Sequence, residues 1–310
     1  MPPKRARGSR GRKRSKEAIQ KRRFLSKERT RASKSAARRQ GSDPQGLFAS
    51  LSALTLPTLT TLHLASNNLG VGGGRRLASA LTATSSLTSL DVGNNSIDGQ
   101  DLVRALLQNR SLTWLGLDQC GLGETGSVHL AHLVQRNTSL QTLVVSRNRL
   151  RDTGTRTVCE ALTTTELHTL DLQENGIGDE GAEAIGDFCG ECDWMRTLRI
   201  GFNGAIRDDW LANAILETNV ALLSGIPIKK LADFEVPSLD LRGLGLGRTE
   251  ALVLTIMMGY QGVYRTTTKK KRLVSLDVTS NPNLTQEDRN SLLQSVRDLS
   301  VKGYSVNLSV

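Results

Sequence analysis

The sequence predicts an α/β solenoid of about eight repeats, in which a curved parallel sheet lies inside and helices cover the outside. Three observations support this prediction. One short apolar pattern recurs from about residue 50 onward, and its copies between Leu59 and Met195 start 28, 25, 28, 27 and 28 residues apart. Each copy has apolar residues two apart, as a strand with one buried face requires. Each is followed by apolar residues four apart, which share one face of a helix.

The first half of each repeat predicts a strand that ends in a sharp bend. The eight copies are "LTTLHLASNNL" (59–69), "LTSLDVGNNSI" (87–97), "LTWLGLDQCGL" (112–122), "LQTLVVSRNRL" (140–150), "LHTLDLQENGI" (167–177), "MRTLRIGFNGAI" (195–206), "VPSLDLRGLGL" (236–246) and "LVSLDVTSNPNL" (273–284). An Asn follows the strand in five of the first six copies, and its amide can bond to nearby backbone groups at a bend. These residues are Asn67, Asn95, Asn148, Asn175 and Asn203. Cys120 takes the same place in the third copy.

The second half of each repeat predicts a helix that packs on the sheet. The aligned segments are "LASAL" (77–81), "LVRAL" (102–106), "LAHLV" (130–134), "VCEAL" (158–162) and "IGDFC" (185–189). One strand and one helix cannot bury both of their apolar faces, so the repeats must stack on one another. The C-terminal "YSVNLSV" predicts a last edge strand that closes the array.

This pattern resembles the leucine-rich repeat, LxxLxLxxNxL, in the longer variety that is typical of the ribonuclease-inhibitor and NOD-like-receptor class. The resemblance covers roughly residues 50–310 and implies the solenoid fold. It leaves the function open.

Two interruptions of the period predict insertions, near residues 219–235 and 259–272. Insertions in a solenoid map to loops on one face, often a binding face. The simpler interpretation of the second is a solvated loop, but it combines tyrosines with cations, which can stack on bases and pair with phosphates. Its candidate contact residues are Tyr260, Tyr264, Lys269, Lys270, Lys271 and Arg272.

The positive charge of the chain is concentrated in its first forty residues. Residues 1–40 contain 17 Lys or Arg and two acids, a net charge of +15. The remaining residues contain 24 Lys or Arg and 28 acids, a net charge of −4. We therefore divide the chain into a basic tail, residues 1–45, and a solenoid, residues 46–310. So polar a segment cannot offset its own ordering entropy, and we expect it to be disordered when free.

The tail allows three functional interpretations. Short basic runs such as "KRAR" and "KRSK" fit nuclear import signals, and the same cations can neutralise phosphates of a nucleic acid or ribonucleoprotein. An Arg-rich, acid-poor N-terminus also fits a mitochondrial presequence. A third interpretation is attachment to another acidic surface, such as tubulin or a membrane. The candidate tail residues are Lys4, Arg5, Arg7, Arg12, Lys13, Arg14, Lys16, Lys21, Arg22 and Arg23.

No constellation in the solenoid predicts catalysis, a metal site or a cofactor. Cys189 and Cys192 are spaced like half of a zinc site, but Cys189 occupies an apolar core position of the repeat. His129 and His132 lie three apart without a third ligand. The irregular cysteine spacing favours a reducing compartment. Ran GTPase-activating proteins use the same repeat class, but the Arg147–Arg149 segment matches no diagnostic motif of theirs.

The inner, concave surface is the expected binding face. Trp114 is the one aromatic residue in a column of Thr and Ser that precedes the strand leucines. An aromatic residue among acids and arginines is typical of a protein-binding hot spot. The candidate protein-binding residues are Trp114, Asp118, Arg147, Asp171, Glu174, Arg199 and Phe202.

The sequence therefore predicts a non-catalytic scaffold whose solenoid binds a protein partner and whose tail anchors it to nucleic acid or a ribonucleoprotein. The expected location is nuclear or nucleolar, within a larger complex that contains a monomeric solenoid. The alternative is a cytosolic regulatory protein of the NOD-like-receptor or GTPase-regulator type that uses the tail only for localisation. No stretch is apolar enough for membrane insertion.

Overall fold

The computed structural model describes residues 59–82, 85–204, 206, 209–233, 235–263 and 273–310. These residues form short parallel strands that alternate with helices along the chain. The predicted fold class, a leucine-rich-repeat solenoid, is confirmed. The tail and the segment Tyr264–Arg272 lie outside the described residues, and the predictions made for them stay predictions.

The strands are short, mostly three residues, and the helices that follow them range from five to sixteen residues. The strands are β1 (Thr61–His63), β2 (Ser89–Asp91), β3 (Trp114–Gly116), β4 (Thr142–Val144), β5 (Thr169–Asp171), β6 (Thr197–Arg199), β7 (Leu222–Leu223), β8 (Ser238–Asp240), β9 (Ser275–Asp277) and β10 (Asn307–Ser309). The helices are α1 (Gly70–Leu81), α2 (Gly99–Ala105), α3 (Gly123–Arg136), α4 (Arg151–Leu162), α5 (Asp179–Glu191), α6 (Asp209–Glu217), α7 (Ile228–Ala232), α8 (Arg248–Val263) and α9 (Gln286–Val301). A 3₁₀ turn, Leu106–Gln108, extends α2.

The strands pair in chain order and in register. One sheet has seven strands in the order β1 to β7, and a second has three in the order β10-β9-β8. Equivalent repeat positions face each other, so that Leu90 pairs with Leu62 on one side and Leu115 on the other. Strand β10 pairs with β9 at the edge of the second sheet, which is the predicted closing strand. The register stacks each sequence position of the repeat into a column across the sheet.

The core lies between the sheets and the helices. The central leucines of β2 to β6 are fully buried, and the residues two positions later point to the same side. The helices bury the predicted positions, among them Leu77, Leu102 and Leu130. Full burial of one such side chain stabilises the fold by about 1.5–3 kcal/mol. The alternate strand residues point away from this core, and we call the surface that they form the open sheet face.

The Asn residues at the bends form a hydrogen-bonded ladder between repeats. The side-chain amide of Asn148 donates to the carbonyl oxygens of Leu117, Val145 and Ser146 at 2.7, 2.9 and 2.9 Å. Its Oδ1 accepts from the backbone N–H groups of Cys120 and Leu122 at 3.0 and 3.2 Å. The Asn residues of the second, fourth, fifth and sixth repeats thus satisfy backbone groups of their own repeat and of the preceding one, which a bend alone leaves without partners.

Cys120 interrupts this ladder in the third repeat. Its thiol lies 3.6 Å from the carbonyl oxygen of Val92 and 3.5 Å from that of Asp118, the groups that an Asn amide meets at this position in other repeats. Burial and the neighbouring carboxylates of Asp118 and Asp91 raise the pKa of this thiol to about 12. The thiol therefore keeps its proton and acts as a weak donor, but it offers no oxygen to the N–H groups of the second repeat.

We expect Cys120→Asn to stabilise the fold by about 1 kcal/mol, because it would supply a missing acceptor and stronger donors. At equivalent positions the Asn oxygen accepts the N–H groups of the preceding repeat's bend, as Asn175 does for Asn148 and Leu150. Urea unfolding of the two chains measures the effect. Cys120→Ser is the matched control and should not stabilise, since its hydroxyl is too short to reach both groups. A less stable Asn variant would contradict the prediction.

The first insertion differs from the expected loop. Residues 219–233 contain strand β7, which pairs in parallel with β6, a tight turn closed by a bridge between Leu223 and Ile226, and the five-residue helix α7. The segment is therefore a shortened repeat. Among the described residues, no strand pairing joins β7 to β8, and the sheet is divided at this point. We call residues 219–235 the short repeat.

Side chains connect the short repeat and its neighbours across this division. Ser224 Oγ donates to Glu250 Oε1 at 2.7 Å, and the N–H of Gly247 donates to Oε2 of the same carboxylate at 2.9 Å. Leu244 packs beside Gly225, where an added Cβ would lie 2.8 Å from Leu244 Cδ1. Glu250 is 2% exposed and thus links two segments inside the core.

Glu250 should make the stability of the fold depend on pH. Burial raises its pKa above the ordinary value of 4.5, against the opposing hydrogen bonds from Ser224 and Gly247. The folded state therefore binds this proton more tightly than the unfolded state, and the free energy of unfolding falls as the pH rises from 4.5 through the folded-state pKa. We expect Glu250→Gln to remove this part of the slope. Urea unfolding across pH 4.5 to 7, in both chains, isolates it. If the free energy of unfolding depends on pH in the same way in both chains, the prediction is wrong.

Candidate functional site

The open sheet face carries two columns of side chains from the strands. Because the central leucine of each strand points into the core, the residues on either side of it point outward. The first column is Thr61, Ser89, Trp114, Thr142, Thr169, Thr197, Leu222, Ser238 and Ser275. The second is His63, Asp91, Gly116, Val144, Asp171, Arg199, Asp240 and Asp277, without β7. Most of the first column consists of short hydroxyl side chains, with Trp114 and Leu222 as the large residues.

Trp114 is seated on this face by a glycine. A Cβ added to Gly116 would lie 2.5 Å from Trp114 Cη2 and 2.7 Å from Cζ3, so the indole occupies the space of a side chain at that position. The ring of His63, two strands away, stacks on the indole with centroids 5.9 Å apart and planes inclined by 17°. His63 Nε2 lies 3.2 Å from Ser89 Oγ. The half-buried Trp114 ring is thus held in place and remains partly open to solvent.

The carboxylate of Asp91 lies near the indole, and Asp118 of the next repeat lies beside Asp91 across Gly93. Asp91 Oδ1 accepts from the N–H of Gly93 at 3.1 Å and lies 3.0 Å from the position that a Gly116 Cβ would take. The Cβ of Asp118 lies 3.1 Å from the position of an added Gly93 Cβ. Side chains at Gly93 and Gly116 would therefore fill the space between Trp114, Asp91 and Asp118.

Arg147 joins two of the predicted acids. Its Nε lies 2.9 Å from Glu174 Oε1, and its Nη1 lies 3.9 Å from Asp118 Oδ2. Hydrogen bonding to Glu174, with the charges of Glu174 and Asp118, raises the pKa of the guanidinium. Asp118 also accepts from Ser146 Oγ at 2.8 Å. Both Arg147 and Glu174 have positive φ, 56° and 52°, which directs their side chains outward from the bend. Such exposed pairs contribute little to stability.

Asp171 and Arg199 form a second pair on the face. Asp171 is 6% exposed, and burial raises the pKa of its carboxyl even though the Gln173 N–H and Arg199 act in the opposite direction. Arg199 Nη1 lies 3.6 Å from Asp171 Oδ2. The guanidinium is exposed while its partner is buried, so its remaining donors face solvent.

Phe202 lies apart from the other candidates, at the bend of the sixth repeat. It has a φ of 58° and is 39% exposed. Its ring lies over Gly245 of the seventh repeat, where an added Cβ would meet Phe202 Cε2 at 1.7 Å. Phe202 therefore spans the division between the two sheets and leaves an apolar surface open.

The structure thus places all seven predicted residues at the strands or bends of this face and gathers five of them into ion pairs. It adds His63, Asp91, Gly93 and Gly116, which the sequence analysis did not select. The available signal was Gly116, which is the lone glycine of its column and lies two positions after Trp114. Tyr260 falls within helix α8, and the other contact-loop residues and the tail cations lie outside the described residues.

The cysteine and histidine groups have structural surroundings. Cys120, Cys159, Cys189 and Cys192 are free and buried. Arg104 Nε donates to His129 Nε2 at 2.9 Å, and burial together with the charges of Arg104 and His132 lowers the pKa of His129. Among the described residues, no three His, Cys, Asp or Glu side chains are grouped to hold a metal ion. Every helix in those ranges is too short or too polar to span a bilayer.

Comparison with known proteins gives the family of these repeats. A family model described as "Leucine Rich repeat" matches residues 55–78, 136–159 and 165–186. A protein phosphatase 1 regulatory subunit 37 homolog of Caenorhabditis briggsae is 28% identical over 165 residues, 50% of this chain and 18% of the relative. The human NACHT, LRR and PYD domains-containing protein 5 is 33% identical over 135 residues, 42% and 11% of the two chains. Ribonuclease inhibitor of Sus scrofa is 31% identical over 183 residues, 47% and 39%.

The parallel ladder, the Asn bends and these matches define a leucine-rich repeat protein. Its repeats are, more particularly, of the class found in ribonuclease inhibitor and the NOD-like-receptor proteins. The matched regions span 11% to 39% of the length of these relatives. The names of the family and of these relatives refer to repeats, regulation or inhibition, and none indicates a catalytic family.

Proposed function

We propose that this protein is a non-catalytic scaffold whose open sheet face binds a protein partner and whose basic tail anchors the complex to nucleic acid or a ribonucleoprotein. The observation that carries the first part is the seated Trp114 indole near the Asp91 carboxylate, on a face that also carries the ion pairs of Arg147 and Arg199. Buried aromatic anchors ringed by polar groups dominate protein–protein interfaces. The +15 charge of residues 1–40, attached to a body of net charge −4, supports the second part.

The open sheet face suits a protein more than a nucleic acid. At strands β1 to β6 and the bends before their Asn residues, it presents Asp91, Asp118, Asp171 and Glu174 against Arg147 and Arg199, a net charge of −2. A phosphate backbone is repelled by such a surface, whereas a protein can present complementary charges. The two functions are therefore assigned to separate parts of the chain, and the proposed location is nuclear or nucleolar.

We expect Trp114→Ala to reduce partner binding by at least about tenfold, because loss of an aromatic anchor costs about 2 kcal/mol or more. The tagged full chain is isolated from nuclease-treated extract, and the retained proteins are quantified by mass spectrometry. Trp194→Ala is the matched control, since Trp194 is 47% exposed and lies between α5 and β6, outside the open sheet face. Equal retention by both variants would exclude the face as the binding surface.

The second candidate function is a cytosolic regulator that uses the tail only for localisation. It is favoured by the similarity to relatives named as a regulatory subunit and an inhibitor. This function predicts no nucleic-acid affinity at moderate salt. A GTPase-regulator form of it also predicts faster GTP hydrolysis by a small GTPase in the presence of the full chain.

A further inference from the structure

Trp114 lies near Asp91 on the open sheet face, and Asp118 lies beside Asp91 across Gly93, an arrangement that suits a receptor for one cationic side chain. We call these three residues, with Gly93 and Gly116, the Trp114 site. At the neighbouring positions of the same columns, Val144 and Asp171 carry side chains where Gly116 has none. The indole fills part of that space, and the carboxylate of Asp91 borders it at 3.0 Å from the position of the absent Cβ. Aromatic and anionic groups therefore meet within one side chain's width.

We propose that the Trp114 site binds an arginine side chain of the protein partner, a proposal that rests on the function proposed for the open sheet face. A guanidinium is planar and always charged, and it can stack on an indole while it donates two hydrogen bonds to a carboxylate. An arginine from the partner would place its plane on Trp114 and direct its donors at Asp91 and Asp118.

The local charges favour this occupant. Glu174 and Asp171 each have an arginine of this chain within 4.0 Å, whereas Asp91 forms no ion pair with any described residue. Asp118 is shared with Arg147 only at 3.9 Å. An apolar side chain would desolvate both carboxylates without compensation, and an acidic one would be repelled. Charge complementarity thus selects a cation.

Arginine fits better than lysine because of the indole. A compact ammonium gains charge attraction from the carboxylates but cannot lie flat along a ring. A cation over an aromatic face gains about 0.5 to 2 kcal/mol, or roughly 2- to 30-fold in affinity. The stack of His63 on Trp114 fixes the indole in advance, which reduces the entropy lost on binding.

The test measures the binding of fluorescent octa-arginine to the full chain. Octa-citrulline is the neutral control of similar shape, and octa-lysine is the control that carries positive charge but no planar guanidinium group. Anisotropy titrations should give the order octa-arginine, octa-lysine, octa-citrulline. Trp114→Ala should lower the affinity for octa-arginine roughly 2- to 30-fold. Asp91→Asn should weaken it as well, while Trp194→Ala and Glu183→Gln, changes outside the face, should leave it within about twofold of the parent.

A second measurement does not depend on the fold of a Trp114 variant. In the W194F/W210F chain, Trp114 is the remaining tryptophan of the three. Octa-arginine should change its emission, and octa-citrulline should not. Gly116→Ala, which keeps every charge but displaces the indole, should abolish that change.

Equal effects of Trp114→Ala and Trp194→Ala on octa-arginine, or equal affinity for octa-citrulline, would overturn the arginine assignment. If the Trp114→Ala chain nevertheless retains fewer proteins from the extract than the parent chain, the open sheet face remains the proposed protein-binding surface, and only the arginine assignment is lost. If partner retention and peptide affinity are both unchanged, both proposals fail.

Discussion

A chain that lacks residues 1–40 should lose an RNA affinity that, in the full chain, falls about 10³- to 10⁵-fold between 50 and 200 mM salt. This range corresponds to about 6–10 phosphate contacts, and the tail offers 17 cations. Each contact releases condensed counterions, so the dependence on salt measures their number directly. Titrations of single-stranded RNA and duplex DNA against both chains, at several salt concentrations, provide the measurement.

A second variant separates charge from length. Replacement of the ten candidate tail cations by Gln keeps all residues in place and should reduce the slope of log affinity against log salt toward that of the deletion. Lys229 and Lys230 of helix α7 are exposed, and their replacement by Gln is the matched control that should leave the slope unchanged. If the deleted chain bound RNA as well as the full chain, the assignment of nucleic-acid binding to the tail would be lost.

The substitution Asn148→Ala should lower the free energy of unfolding by at least about 3 kcal/mol. Alanine removes five hydrogen bonds, and with them the contact that Asn148 makes to the carbonyl of Leu117 and to the N–H groups of Cys120 and Leu122 in the preceding repeat. Asn148 is 1% exposed, so bulk solvent does not reach these groups directly. The loss affects the interface between repeats three and four, on which the stacking of both depends.

Urea unfolding followed by circular dichroism measures this loss. Asn290→Ala is the control, because Asn290 is exposed on helix α9 and alanine favours a helix. We expect this control to change stability by less than about 0.5 kcal/mol. A similarly small change for Asn148→Ala would show that the ladder contributes little to the fold.

The sequence predicted the repeated elements because each repeat obeys local rules. The alternation of apolar and polar residues around Leu90 or Leu143 predicts that those leucines lie in the core, where the structure places them. The same pattern recurs in eight copies, so each copy supports the interpretation of the others. The short repeat was missed for the same reason. Its strand is two residues long and its helix five, too few to show either period. Its register depends on pairing with β6, which no local pattern encodes.

The candidate site was partly predictable. Trp114 stands out in its column, and the acids and arginines follow from the alignment of the repeats. The roles of His63 and Gly116 were not visible, because they depend on how a large side chain lies across three strands. That arrangement is set by non-local packing, in which the absence of one Cβ determines where the indole rests.

Because strand pairing is interrupted at the short repeat, backbone hydrogen bonds do not carry a local structural change from one sheet to the other. Within each sheet, backbone pairing and the Asn ladder tie every repeat to the next, so a local loosening is shared by its neighbours. Between β7 and β8 that pairing is absent among the described residues, and the two parts are joined by the side chains of Ser224, Leu244 and Phe202 and by the packing of helix α8 against α6 and α7. A change in the last three strands therefore reaches the first sheet through these side chains and helices and not through strand pairing. In its sheets, though not in its helix layer, the chain is divided into two successive arrays of strands.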